Sequence, residues 1–542
     1  MEQNSNRFLL HKIERLNSIG TALSLERDPT LLLERILLGA KELTGADGGS
    51  LYILEGDQLQ FRLVHTTSLN LHRGGSSATP VSFPPIPLYR DDGTPNNQMV
   101  VTRTALQNCI VNISDAYNNR EFDLAGTHAF DASTGYRSHS LLAVPMQDHE
   151  QQIIGVLQLI NATHPQTGEV VPFSREDESL VASLASQAAV SLNRQDLING
   201  LETLLQSLTR LIAKAIDDKS PHTGGHCRRV PEITMALANA VNADTGPVFK
   251  SVNFSRHELD ELEMAAWLHD CGKITTPEFI IDKRTKLEST IDRMQLVELR
   301  LELLRKEGEI QRLKRDDQTA DLTFEQSVPA ADELETIARF LQQCNTGGEW
   351  LPEETITRIR EIARILLPAH NGQAPAPLLT ENEVDNLSVK KGTLTDAERQ
   401  LINSHVQISQ RMLASLPFPK HLKNVALIAG AHHEKINGTG YPKGLLAGEL
   451  PLQARILAIA DIFEALTASD RVYRQPITLS AALTTLGQMC SKKEIDADLF
   501  ELFLRKQAYT RYVQKYLNRE QIDSVDADAI CNLFRAASEL KS

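Results

Sequence analysis

A chain of 542 residues exceeds one ordinary hydrophobic core and, at roughly 100–200 residues per domain, is expected to fold as about three units. With 41% hydrophobic and 23% charged residues it reads as globular, and no run approaches the roughly 18 uninterrupted apolar residues of a membrane helix, so membrane insertion is not expected. A formal charge of −14 opposes binding to duplex nucleic acid. The opening MEQNSNRFLLHKIERLNS lacks a secretion signal, and six cysteines without CxxC spacing read as reduced, mostly buried thiols; a cytoplasmic protein is expected.

The first part reads helix, strands, helix. Residues 29–44 place Leu32, Ile36, Leu37 and Ala40 at helical spacing, while SLYIL (50–54), SLLAVPM (140–146) and IIGVLQLI (153–160) are short β-rich apolar runs. The pattern predicts an α+β unit, an antiparallel sheet backed by helices. LLAVPM, a turn, IIGVLQLIN and a closing helix resemble the second half of a GAF domain, a sensor fold for small molecules. We assign this sensor to residues 1–195; the resemblance implies a small-molecule ligand. Cyclic-nucleotide-binding GAF domains carry an N-K, F, D-E signature. Asn161, Phe173, Asp177 and Glu178 stand in that order, with Ala162 replacing the lysine, and are the candidate sensor-ligand residues. Asp177 and Glu178 equally suit a helix N-terminus.

Residues 176–217 contain no proline and no tight turn, and Leu197, Leu201, Leu204, Leu208 and Leu211 recur at the alternating four and three spacing of a two-stranded coiled-coil seam. This predicts a continuous connecting helix and a homodimer formed through it. Residues 284–390 then form a charged block: KLESTIDRMQLVELRLELLRKEGEIQRLKRDD, TIARFLQQ and PEETITRIREIARILL read as helices and PAHNGQAPAP as a loop.

Chemistry concentrates on either side of that block. Ser255 and Glu258 form a capping box for a helix running through Leu259, Leu262, Ala266 and His269; Asp270 follows and Gly272 reads as its stop. Thr395 and Glu398 cap a helix with Leu401, His405, Ile408 and Met412 on one stripe. In VALIAGAHHE, Val425, Ile428, Ala429 and His432 keep the i, i+3, i+4, i+7 rule, placing His432 inward and His433 at the edge of that face. Asp461 lies between Leu457 and Ala465 at i−4 and i+4, a costly place for a carboxylate without a charge partner. Ser220-Pro221 reads as a helix start, with His222 and His226 one turn apart. His226, His269, Asp270, His405, His432, His433 and Asp461 together offer five imidazoles and two carboxylates, enough for two divalent ions with open positions. Nitrogen and oxygen donors without thiolate suit iron or manganese at least as well as zinc.

The stretches HTGGHCRRV (222–230), LHDCGKI (268–274), LTDAERQLINSHVQISQRML (394–413), HHEKINGTGYPKGL (432–445) and ARILAIADIFEALTASDRVYR (454–474) resemble, in order and chemistry, the HD-GYP family of metal-dependent phosphodiesterases. The resemblance implies an all-α bundle of the HD superfamily over 205–510, interrupted by a helical insertion at 284–390 and followed by a helical tail at 511–542. It also implies hydrolysis of cyclic di-GMP to the linear dinucleotide pGpG or to GMP. Two ions would acidify a bridging water and screen the phosphodiester charge, with Asp270 and Asp461 helping to hold the bridge. Lys273 matches the lysine that would neutralise phosphate or protonate the leaving oxygen, with a solvated helix-end cation as the alternative.

Gly438, Gly440, Tyr441 and Pro442 form a turn where backbone would meet ligand and Tyr441 would stack on a base. Arg471 and Arg474 match phosphate- or guanine-contacting positions, with surface salt bridges as the alternative. Asn437 stands where the family has aspartate, and His222 where some members place a glutamate that recruits a third metal. Two further readings stay open: cleavage of another cyclic dinucleotide, such as cyclic GMP-AMP, or a degenerate module that senses a nucleotide or binds a partner.

Overall fold

The computed structural model describes residues 2–26, 28–219, 225–316, 328–348, 350–368, 374–468 and 477–539. They divide into two compact units, Met1–Leu204 and Leu205–Ser542.

The first unit begins with helices α1 (Glu2–Leu25) and α2 (Pro29–Thr44). Local signals set the bounds of α2: the Asp28 carboxylate accepts from Thr30 and Leu31 N–H, Pro29 occupies the first turn, and Gly45 ends the helix at φ 66°. Strands β1 (Ala46–Glu55), β2 (Gln58–Thr66), β3 (Leu71–Gly74) and β4 (Ile86–Pro87) follow, then α3 (Val100–Gln107), β5 (Val111–Ile113), α4 (Ala125–Thr134), β6 (Leu141–Gln147), β7 (Ile153–Thr163) and β8 (Val170–Val171). They make one antiparallel sheet of order β3-β2-β1-β7-β6-β5, with β4 on β2 and β8 on β7.

Alternation divides each central strand between two cores. Leu142, Val144 and Met146 pack with Leu51, Leu157, Ile36 and Leu37 on one face, while Leu141 and Ala143 join Tyr52, Val100 and Val156 on the other. On α2, buried Lys41 sets Nζ 2.5 Å from His65 Nδ1 and 2.9 Å from Thr67 Oγ1. Burial lowers its pKa to about 8, with Asp47 opposing.

Helix α5 (Arg175–Lys219) is continuous. Its first turns bury Leu184, Ala185 and Ala188 in the first unit, and its last turns bury Ala213 and Ile216 in the second. Between these, Leu197, Leu201, Leu204, Leu208 and Leu211 are 47–65% exposed, an apolar stripe without a covering element among the described residues. Lys219, at the end of α5, donates to the carbonyls of Lys273 (3.3 Å), Ile274 (2.5 Å) and Thr276 (2.7 Å), and Asp217 accepts from Cys227 N–H.

The second unit is helical: α6 (His226–Asn242), α7 (Arg256–Leu268), α8 (Glu278–Ile281), α9 (Met294–Asp316), α10 (Ala331–Asn345) and α11 (Glu353–Ala363), then a small ribbon of β9 (Leu366–Leu367) and β10 (Ala376–Pro377). Next come α12 (Glu381–Leu387), α13 (Asp396–Asn403), α14 (His405–Ala414), α15 (Val425–Ala429), α16 (Leu452–Thr467), α17 (Leu479–Ser491), α18 (Ala497–Arg505), α19 (Thr510–Tyr516) and α20 (Ala527–Glu539).

Within the expected insertion, 286–293 is loop instead of helix, and the ribbon and α12 were not anticipated. The block has its own core of Leu287, Val297, Leu301, Ile337, Leu341 and Ile359. Its entry is tied down by two buried lysines. Lys283 Nζ binds Asn386 Oδ1 and Glu398, and Lys286 Nζ binds the carbonyls of Leu387 and Val389. The C-terminal segment is no loose tail, since Ile530, Cys531 and Phe534 of α20 belong to the main core. Five of the six free cysteines are buried, and no described helix is long and apolar enough to cross a membrane.

Candidate metal centre

The seven candidate ligands sit at helix ends and at one point inside a helix. The capping box of Ser255 and Glu258 starts α7 as expected, and α7 ends at Leu268, so His269 and Asp270 follow it directly into the 3-10 turn Cys271–Thr275. Gly272 matters for contact more than for stopping the helix. A Cβ there would lie 2.1 Å from the His405 carbonyl oxygen, and its N–H donates to Ser409 Oγ at 2.8 Å, which locks the turn onto α14.

Two expected helices are shorter than their periodicity implies. The 395–413 helix breaks at Ser404, so His405 opens α14, fully buried, while Leu401 and Met412 are 43% and 38% exposed. Helix α15 ends at Ala429, and His432 and His433 lie in the turn beyond it. Asp461 is buried in the middle of α16, and His226 is the first residue of α6.

These residues converge. Asp270 reaches both sides of the cluster: Oδ2 is 3.3 Å from His226 Nε2 and 3.5 Å from His269 Nε2, while Oδ1 is 3.2 Å from His405 Nε2 and 3.9 Å from His432 Nε2. Asp461 behaves similarly, with Oδ1 3.2 Å from His226 Nε2 and 3.6 Å from His269 Nε2, and Oδ2 3.8 Å from His433 Nδ1. Ligand atoms of His226, His269 and Asp461 lie within 4.8 Å of one another, as do those of His405, His432 and His433. The Nδ1 atoms of His269, His405 and His432 each face the carbonyl three residues earlier, at 2.6–2.7 Å, which leaves Nε2 as the inward atom.

The donor set fits divalent cations. Asp270 Oδ1, His405 Nε2 and His432 Nε2 are buried without a hydrogen-bond partner among the described residues, an arrangement whose desolvation cost a bound cation would relieve. Burial drives His432 well below the ordinary imidazole range and His433 down to about 4, so both are neutral donors. Burial also opposes charge on Asp270 and Asp461, yet the surrounding cations, Lys273 and His226 foremost, hold both carboxyls well below the usual range. On His226 the opposing effect of burial is exceeded by Glu464, Asp270 and Asp461, which raise its pKa; an arriving cation would displace that proton. Burial pushes the thiols of Cys227 and Cys271 up, the latter to about 11, which leaves them protonated and poor ligands.

Around the cluster, Lys273 Nζ stands 2.5 Å from Asp270 Oδ2. Tyr441 lies over His433 with ring centroids 4.9 Å apart. The expected turn is held from within. Gly438 has φ 77°, whereas the close approach at Gly440 is to the chain's own Glu434–Lys435 backbone, where a Cβ would lie 2.3 Å from Lys435 N. Glu434 is a staple: its buried carboxylate accepts from Lys443 N–H at 2.7 Å and Leu445 N–H at 2.9 Å. Asn437 orders the same turn, accepting from Thr439 N–H and Oγ1–H and donating to the Lys492 carbonyl. His222, Arg471, Arg474 and the Ser220-Pro221 start lie outside the described residues.

One residue that the sequence reading passed over completes the site. Glu464 is fully buried, with Oε2 2.5 Å from His226 Nδ1 and Oε1 2.6 Å from Arg229 Nε. Glu464 lies at i+3 from Asp461 on the same apolar helix, so the same cost of burying a carboxylate marks it in the sequence.

The four candidate sensor-ligand residues do not meet at a cavity. Asn161 caps the chain at 137–140, accepting from His139 and Ser140 N–H and donating to the Arg137 carbonyl. Phe173 is in the core; Asp177 pairs with Lys12 and caps Ser174; Glu178 accepts from Asn112. A cavity in the first unit, about 320 Å³, lies on the other sheet face, lined by Tyr52, Phe61, Phe83, Phe130 and Gln158 among others. Among the described residues no lysine, arginine or histidine lines it, and Asp123 is its one charged side chain.

The GAF domain model matches residues 28–192, and two HD domain models match 223–341 and 360–499. The chain therefore carries a GAF domain and an HD domain. The cyclic di-GMP phosphodiesterase response regulator RpfG of Xanthomonas campestris pv. campestris is 38% identical over 117 residues, 21% of this chain and 30% of that protein. The 3'3'-cGAMP-specific phosphodiesterase 3 of Vibrio cholerae is 42% identical over 100 residues, 18% of this chain and 21% of that protein. The cyclic di-GMP phosphodiesterase PA4108 of Pseudomonas aeruginosa is 30% identical over 194 residues, 36% of this chain and 41% of that protein. The chain thus spans less than half the length of each. These matches agree with the resemblance to the HD-GYP family with a GAF sensor.

Proposed function

We propose that this chain is a metal-dependent phosphodiesterase that hydrolyses cyclic di-GMP to pGpG or GMP. The observation that carries the reading is Asp270, whose two oxygens face two separate histidine groups, Oδ1 standing 3.2 Å from His405 Nε2 without a hydrogen bond among the described residues. His226, His269, Asp270 and Asp461 would hold one divalent ion, and His405, His432 and His433, with Asp270 and Asp461 shared, a second; the absence of thiolate favours iron or manganese. Such a pair supplies an acidified water and positive charge against the phosphodiester. Lys273, which Asp270 holds at the edge of the cluster, would neutralise a phosphate oxygen or protonate the leaving oxygen. Tyr441 would stack on a guanine beside His433, and the Glu434 staple would keep it there.

Two features outside the centre support regulation. The exposed leucine stripe of α5 suits a parallel pairing with a second copy, giving a homodimer. The aromatic cavity of the first unit, with Asp123 and no cationic side chain among its described lining residues, suits an uncharged planar ligand better than a nucleotide phosphate. A second substrate reading, cyclic GMP-AMP, is favoured by the 42% identity to a relative named for that substrate. The test is product identification by mass spectrometry after incubating anaerobically purified, metal-analysed protein with cyclic di-GMP and 3'3'-cGAMP. Cleavage of the first in preference is expected. Turnover of the second alone would exchange the substrate, and turnover of neither by metal-loaded protein would leave a binding module.

A further inference from the structure

We propose that Glu464 is a positioning residue that presents His226 to a cation through Nε2, and that it makes the His226 side the tighter of two unequal ion positions. This rests on the metal reading above. His269, His405 and His432 have Nδ1 fixed by neutral backbone carbonyls. His226 instead has Nδ1 2.5 Å from a fully buried carboxylate, whose other oxygen is fixed by Arg229 Nε at 2.6 Å. A carbonyl selects the tautomer and enriches the ring a little, whereas a charged carboxylate enriches it more and makes Nε2 the stronger donor. That Nε2 lies 3.2–3.3 Å from Asp461 Oδ1, Asp270 Oδ2 and His269 Nε2, the converging point of one ligand group. The second group has no such support among the described residues: the Nδ1 atoms of His405 and His432 face carbonyls, and that of His433 faces Asp461 at 3.8 Å. Helix α16 therefore delivers a shared ligand, Asp461, and one turn later the support of another.

The substitution Glu464→Gln keeps the shape and reverses the polarity. With its amide oxygen on Arg229, the amide N–H₂ faces Nδ1, which must then accept, so the ring proton moves to Nε2 and blocks it as a ligand. The test is titration of the chelator-stripped full-length chain with Co²⁺, followed by visible absorption and metal content. Wild type should bind two ions with distinct affinities, and E464Q should lose the tighter class by about 10–100-fold while keeping the weaker. Glu261→Gln is the control: that carboxylate is equally buried but holds Asn424, away from the cluster, and both classes should persist. Should E464Q not fold, His226→Ala leaves Glu464 and Arg229 in place and must remove the tighter class. Two equal wild-type affinities, an E464Q profile like wild type, or loss of the weaker class in H226A would overturn the proposal while leaving a metal enzyme. A wild type that binds no ion would overturn the metal reading with it.

Discussion

Replacing Asp270 by asparagine tests the shared-ligand geometry most directly. The change keeps the shape of the side chain but removes a full charge, and turns one acceptor into a donor, at the point where both histidine groups and Lys273 meet. Without metal, the variant loses a buried ion pair; removing one partner costs about 3–5 kcal/mol, and the low end applies because the Lys273 side chain is 23% exposed. With metal, wild type gains about 2.7 kcal/mol per ion at a hundredfold excess over Kd, and the variant should gain none. The gap between the two proteins is therefore expected to widen from about 3 to about 8 kcal/mol when Mn²⁺ is added. Denaturant unfolding with Mn²⁺ or with chelator measures both gaps, and cyclic dinucleotide cleavage should fall at least about 10³-fold. A variant that keeps the Mn²⁺-dependent stabilisation and its turnover would refute the idea that Asp270 joins two ion positions.

Glu434→Gln should free the turn at 438–445 by removing one of two charge-assisted bonds. A loss of about 2 kcal/mol in ordering predicts a roughly 30-fold rise in KM with metal content unchanged, measured by steady-state kinetics beside metal analysis. Gly272→Ala should cost about 1–3 kcal/mol in chemical denaturation and weaken metal binding, because the new methyl must push the turn away from α14. The lowered pKa of Lys41 gives the first unit a pH dependence. The folded group sheds its proton near pH 8 and the unfolded one near 10.5, so its penalty is full below about 8 and vanishes above 10.5. Wild type should gain about 3 kcal/mol relative to Lys41→Met across that window in urea unfolding, and a flat difference would contradict it.

Much of the centre was legible because apolar periodicity says which way a polar side chain points. His269, His405 and Asp461 fall on inward positions whether or not the helix containing them is drawn to the right length. Periodicity does not report where a helix stops, so Ser404 and Ala429 were overrun: apolar spacing continues through a turn that stays packed on the same core. Glu464 stands out less in the sequence than a histidine would, because glutamate is a strong helix former and common on any helix. The candidate sensor residues are a different case. Asn161 bonds backbone groups 21–24 residues away, and Asp177 bonds Ser174 and Lys12, internal contacts that a linear signature cannot distinguish from ligand contacts. The ribbon β9–β10 carries no alternation to detect in strands of two residues.

Lys219 gives the long helix α5 a mechanical grip on chemistry that it never touches. A single ammonium ties together three carbonyls immediately beyond Asp270, and one turn's face away Asp217 steadies the segment that begins with His226. Withdrawal of α5 by a single residue's rise, about 1.5 Å, would part the ammonium from all three oxygens together. The splint would then release two ligand-bearing segments in one stroke.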